Sequence, residues 1–156
     1  MYVWATNDTG GAWGIPVSVD ATDDVGLYTS LEVVSGKPAI SYYDSTNGDL
    51  MYVWATDVSG GVWGAALAVD SSDVVGLYTS LEVVNENPAI SYYDGTNGDL
   101  NYIQATDSSG GTWGSPQIFD SPNNVGLFTS LAVVEGYPAI SYIDATGQDL
   151  EFVRFK

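Results

Sequence analysis

Residues Met51 to Leu100 read MYVWATDVSG GVWGAALAVD SSDVVGLYTS LEVVNENPAI SYYDGTNGDL, and this stretch decides the fold. From Leu50 to Thr56, Tyr52 and Trp54 fall on one face and Val53 and Ala55 on the other, the period of a strand. A turn at Asp57 to Gly61 leads into a second strand, Val62 to Asp70. After Ser71 to Gly76 comes Leu77 to Val84, rich in apolar and β-branched residues. The Asn85-Glu86-Asn87-Pro88 turn then precedes Ala89 to Asp94, and Asn97-Gly98 marks a further hairpin. No segment holds a helical period.

The same stretch occurs three times. Residues 1–50, 51–100 and 101–150 align without a gap, and the first two agree at about 35 of 50 positions. Residues 151–156 open a fourth copy, expected to act as a closing strand. Four short strands in roughly 50 residues is the size of one propeller blade. The expectation is an all-β chain, a β-propeller of four-stranded antiparallel blades, three per chain, in one repeat domain over residues 1–156.

Among 156 residues, 45% are apolar and only 15% charged, with 20 acids against three bases and a net charge of −17. Such a surface repels phosphate backbones and anionic lipid headgroups, so neither nucleic acid nor a membrane is an expected partner. There is no cysteine, which excludes disulfides and thiolate chemistry. The start, Met1-Tyr2-Val3-Trp4, lacks the basic and apolar regions of a signal peptide and is in phase with Met51. That phase is expected of a segment of a longer array, at or outside the cell surface, or of an engineered chain.

In the first copy, Thr6-Asn7-Asp8-Thr9-Gly10-Gly11-Ala12-Trp13 resembles the Asp-box of sialidase-type propellers, Ser/Thr-x-Asp-x-Gly-x-x-Trp. The later copies keep Trp63 and Trp113 but carry Val58 and Ser108 at the Asp8 position. The wider pattern is similar to propeller-like repeats of uncharacterised bacterial and archaeal proteins. The resemblance implies a structural role for Thr6, Asp8, Gly10, Trp13, Trp63 and Trp113, with each Trp tucked between blades. It also implies that the box joins a blade's third and fourth strands, so that Leu27–Val34, Leu77–Val84 and Leu127–Val134 are innermost.

Three blades do not close a ring, since propellers have 4–8. Two apolar blade faces would stay exposed, forgoing on the order of ten kcal/mol at roughly 25 cal/mol per Å2. A homodimer closed as a six-bladed ring, with blades completed from both chain ends, is therefore expected.

Sialidase chemistry needs an arginine cluster, and Arg154 is the sole arginine. With no His or Cys the chain reads as no enzyme, with no catalytic residues and no cofactor, and as a non-catalytic self-assembling scaffold or interaction module. The alternative is a multivalent lectin-like propeller with one site per blade, built from Trp4, Trp54, Tyr28 and Tyr78 with Asp20, Asp70 and Asp120, a glycan then joining the chain itself as partner. Calcium is the one ion with a candidate set, the oxygens of Asp44, Asn47 and Asp49 and of Asp94, Asn97 and Asp99. An Asx-capped hairpin explains the same residues.

Overall fold

The computed structural model describes residues 1–155, and the last residue of the partial fourth copy, Lys156, lies outside the described residues. Eleven strands form three antiparallel sheets, with no helix among the described residues. The first sheet is β1 (Val25–Val34), β2 (Lys37–Asp44), β3 (Asp49–Trp54) and β4 (Leu67–Asp70), paired in chain order. The second repeats it with β5 (Val75–Val84), β6 (Asn87–Asp94), β7 (Asp99–Gln104) and β8 (Gln117–Asp120). The third has three strands, β9 (Val125–Val134), β10 (Tyr137–Asp144) and β11 (Asp149–Arg154). Each of the first two sheets thus draws on two successive sequence copies. The expected strand Val62 to Asp70 is shorter than its apolar run: β4 begins at Leu67, and Trp63 contributes only an isolated bridge to Ala55.

Turn chemistry explains the hairpins. β1 and β2 are joined by Ser35 and Gly36 at φ of 50° and 75°, the two left-handed positions of a tight hairpin turn. In the second blade Asn85 and Glu86 take the same conformation, at 50° and 69°. The Asp44–Asp49 turn is capped by its own first residue. Asp44 Oδ1 accepts from the Thr46 and Asn47 amides, at 2.9 and 3.2 Å.

The blades pack face to face through two apolar clusters. Val34, Ala39, Leu50 and Tyr52 of the first blade meet Val75, Leu81, Ile90, Tyr92 and Ile103 of the second. Val84, Leu100 and Tyr102 meet Val125, Leu131, Ile140 and Tyr142 in the same way. Buried hydroxyls join the faces: Ser41 and Thr79 lie 2.7 Å apart, as do Ser91 and Thr129. β1, β5 and β9 lie side by side, which makes them the inner strands.

The first 20 residues form a fragment of a preceding blade. Tyr2 bridges Val17 and Ala5 bridges Trp13, matching the Tyr52–Leu67 and Ala55–Trp63 pairs. The described residues therefore include, besides two four-stranded sheets, a third-and-fourth-strand fragment and a three-stranded sheet.

Candidate functional site

Two places hold side chains that intra-blade packing does not explain: the row of aromatics across the inner strands, and the open blade faces at either end.

The row comprises Tyr28, Tyr78 and Phe128. Ring centroids are 4.5 Å apart for Tyr28–Tyr78 and 4.3 Å for Tyr78–Phe128. Each residue sits at φ 54°, left-handed backbone that costs an L-residue about 1–2 kcal/mol. The cause is a bulge in each inner strand, where the register slips between Leu27 and Ser30 opposite Tyr43 and Ser41. The rings, with Thr29, Thr79 and Thr129, line a shallow groove of about 240 Å3. Tyr28 and Phe128 are exposed.

Asp20, Asp70 and Asp120 do not join this row, which corrects the expectation of shared sugar pockets. Each accepts a hydrogen bond from a second-strand tyrosine, Tyr42, Tyr92 or Tyr142, at 2.5, 2.6 and 2.6 Å. Burial and then the Asp70 carboxylate push the Tyr92 phenol well above its usual range. For Asp20, burial opposes ionisation, but the bonds from Tyr42 and Thr22 outweigh it and hold the carboxyl below its ordinary value. These are structural clamps between one blade's fourth strand and the next blade's second strand. Trp4 and Trp54 lie on the third strand instead, half-buried and stacked on Tyr2 and Tyr52, at 6.1 and 5.8 Å.

The Asp-box reading also shifts by one residue. The turn is organised by Asp57, whose Oδ1 accepts from the Ser59 and Gly61 amides at 3.0 Å each, and by Asp107 in the same role. Asn7, not Asp8, is their counterpart, with its Oδ1 accepting from the Gly11 amide at 3.0 Å. Trp63 and Trp113 are half-buried, each donating Nε1–H to the carbonyl of Gly60 or Gly110 at 2.8 Å. Trp13, expected between blades, is 61% exposed because no neighbouring blade covers it. Thr56 and Thr106 bond the carbonyls of Val62 and Thr112, and Thr6 is exposed.

In the calcium candidates, donors and acceptors are committed to one another. Asn47 Nδ2 donates to Asp44 Oδ2, and Asn97 Nδ2 to Asp94 Oδ2, both at 2.8 Å. Asp49 and Asp99 stand opposite Asp44 and Asp94 in the ladder. Among the described residues no group of three or more His, Cys, Asp or Glu is placed to hold a metal ion.

At the ends, residues that are buried inside the array lie open. Leu50 and Leu100 are fully buried, whereas Leu150 is 82% exposed; Leu81 and Leu131 are buried, whereas Leu31 is 57% exposed. Sequence reasoning anticipated exposed faces but not one further detail, the buried Tyr102 hydroxyl that has no partner among the described residues. The recurrence of tyrosine at positions 2, 52 and 102 was its only signal.

No family model matches the chain, and no curated protein is similar to it. Among solved structures it is similar to GH43B of a Bacteroides ovatus xyloglucan PUL, with a TM-score of 0.58 and 15% identity over 86% of this chain and 28% of that one. It is likewise similar to NanB, solved with Optactamide, with a TM-score of 0.53 and 13% identity over 93% of this chain and 26% of that one. Both are β-propellers, so the propeller-like fold stands, while no family model supports the Asp-box assignment. The chain spans little more than a quarter of the length of either neighbour. Both neighbours are enzymes, a glycoside hydrolase and a sialidase, and this corrects the expectation of no enzyme.

Proposed function

We propose that the chain is a propeller building block that closes head to tail with a second copy into a six-bladed ring. The observation that carries this reading is the mismatch between inner and outer copies of one interface. Leu50 lies against Gly76 and Leu100 against Gly126, while Leu150 and Gly26 are open to solvent in a single chain. Ser41 pairs with Thr79 and Ser91 with Thr129, leaving Ser141 and Thr29 as the next pair. Both of these inner-interface pairs therefore have their two halves at opposite ends of the chain. Burying such faces is the largest favourable term at hand. Native mass spectrometry at low micromolar protein tests it: twice the chain mass supports the ring, and a monomer overturns it.

A second reading is favoured by the inner row. Strained aromatics repeated in three blades and opening onto one groove suit stacking against a sugar ring, with affinity gained by repetition. Saturable binding on a glycan array, lost in Tyr78→Ala with the fold retained, supports glycan recognition. Silence across the array removes it.

A further inference from the structure

The two incomplete ends fit one another, but one strand position is claimed twice. Met1–Trp4 occupies the third-strand place of the leading fragment, with Tyr2 exchanging both hydrogen bonds with Val17 at 2.8 and 2.7 Å. β11 carries the corresponding sequence, Glu151–Arg154, in the third blade. When the fragment and the third blade of two copies merge, only one of these segments can pair with β10.

Three observations locate the incoming copy. A cavity of about 290 Å3 at the leading end is lined by Tyr2, Val19, Gly26, Leu31 and Ile40, where a blade's first two strands are missing. A second cavity, about 240 Å3, lies beside the third blade and is lined by Tyr102, Gln104, Phe119, Pro138 and Phe155. At the inner copy of that second place, Gly60 sits so close to Tyr2 and Pro38 that a β-carbon would lie 2.9 Å from the Pro38 ring. The corresponding Gly10 has nothing within 4 Å, and Tyr102 and Pro138 are its repeat-matched neighbours. The orphan hydroxyl agrees. Tyr2 donates to the Ser59 carbonyl at 3.3 Å and Tyr52 to the Ser109 carbonyl at 2.9 Å. Tyr102 is 5% exposed and has no acceptor among the described residues, and the next carbonyl in the series is that of Thr9 in a second copy.

β11 departs from the repeat where the conflict lies. Phe155 stands at the position of Ala55 and Ala105, which are buried with no room for a ring. It packs instead on Phe119 at 4.0 Å, so that both rings line the place the incoming hairpin needs. Phe152 lacks the hydroxyl that Tyr2 gives to Ser59. Arg154 fastens the segment through a 2.8 Å ion pair with Glu135.

From this we propose that Glu151–Phe155 is a self-cap over the docking seat for a second copy. On assembly, Met1–Trp4 of that copy takes the third-strand place, and its Asn7–Trp13 hairpin enters the seat with the Thr9 carbonyl on the Tyr102 hydroxyl. Leu150 stays in register and packs on Gly26 of the second copy. The inference rests on the head-to-tail closure proposed above.

The test compares dimer dissociation constants by sedimentation for the full chain, Phe155→Ala, a chain ending at Leu150, and a chain lacking Tyr2–Thr6. Uncapping by Phe155→Ala or by truncation is expected to tighten the dimer about tenfold, and loss of Tyr2–Thr6 to weaken it by as much. Phe155→Ala keeps β11 intact, so the comparison stands if the truncated chain does not fold. A full-length dimer with the opposite order of affinities overturns the cap alone. A chain that stays monomeric both at full length and in the two uncapped forms overturns the closure and the cap together.

Discussion

Leu50 lies so close to Gly76 that a β-carbon on the glycine would stand 2.6 Å from the Leu50 Cα. Leu100 stands in the same relation to Gly126, at 2.8 Å, while Gly26 has nothing within 4 Å. The three glycines share left-handed backbone, at φ of 94°, 94° and 99°. Alanine therefore strains all three alike, by about 1–2 kcal/mol. Only the packing differs. Gly76→Ala is expected to cost about 3 kcal/mol or more in chemical denaturation, because a backbone atom must move. Gly26→Ala is expected to leave the folded monomer within about 2 kcal/mol of the parent and to weaken the dimer at least about tenfold. Equal dimer affinity for parent and Gly26→Ala counts against the ring.

Glu86 holds the second position of a tight hairpin turn at φ 69°, where the other two blades carry Gly36 and Gly136. Glu86→Gly is expected to raise stability by about 1 kcal/mol, the relief of left-handed strain less the added chain entropy. A lower melting temperature would show that the Glu86 side chain stabilises the turn.

Acid and alkali act on different parts of the blade. Bonds from the Ser109 and Thr112 hydroxyls, with backbone amides adding to them, hold the Asp107 carboxyl well below its ordinary 3.8. The stability this gives is full above pH 3.8 and is lost as the pH falls through the lowered value. Asp107→Asn keeps an acceptor, as Asn7 does, and is expected to flatten the acid limb of the melting curve. At the other end, burial raises the phenols of Tyr42, Tyr92 and Tyr142, and pushes that of Tyr102 up to about 12, from the usual 10.0. Their stabilising effect is full below pH 10.0 and is lost as the pH rises through these values. Alkaline unfolding is expected to track phenolate absorbance, and Tyr92→Phe to cost about 1–3 kcal/mol by stranding the buried Asp70 carboxylate.

Each chain carries a net charge of −17, so two copies repel one another. The apolar closure is expected to tighten with added salt, because screening shortens the repulsion to about 10 Å at 0.1 M. Dissociation constants that rise with salt would point to an interface held by charge pairs instead.

Much of this architecture is legible in the sequence. Alternation over Leu50–Thr56, with turns at Asn85-Glu86 and Asn97-Gly98 on either side of Ala89–Asp94, marks strands that the structure contains. The inner strands were expected only through the resemblance, and the structure has β1, β5 and β9 side by side. The clamps were not legible, since Asp70 and Tyr92 are 22 residues apart and meet only when the first blade's β4 packs beside the second blade's β6. The turn anchor was misplaced because the Asn7-Asp8 pair fits a motif at either residue, and only hydrogen bonding to Asp57 and Asp107 separates them. The left-handed Tyr78 is invisible to pattern alone, because its bulge replaces the alternation that would have announced it.

The most direct test of closure uses the chain's lack of cysteine. Ser41 and Thr79 place their hydroxyl oxygens 2.7 Å apart across an inner interface, and Ser41→Cys with Thr79→Cys should close an intrachain disulfide under mild oxidation. Ser141→Cys with Thr29→Cys places the corresponding pair at the two open ends. The account predicts a covalent dimer from this second variant on a non-reducing gel, returned to monomer by reductant. A chain that stays monomeric while the Ser41/Thr79 control closes would contradict it.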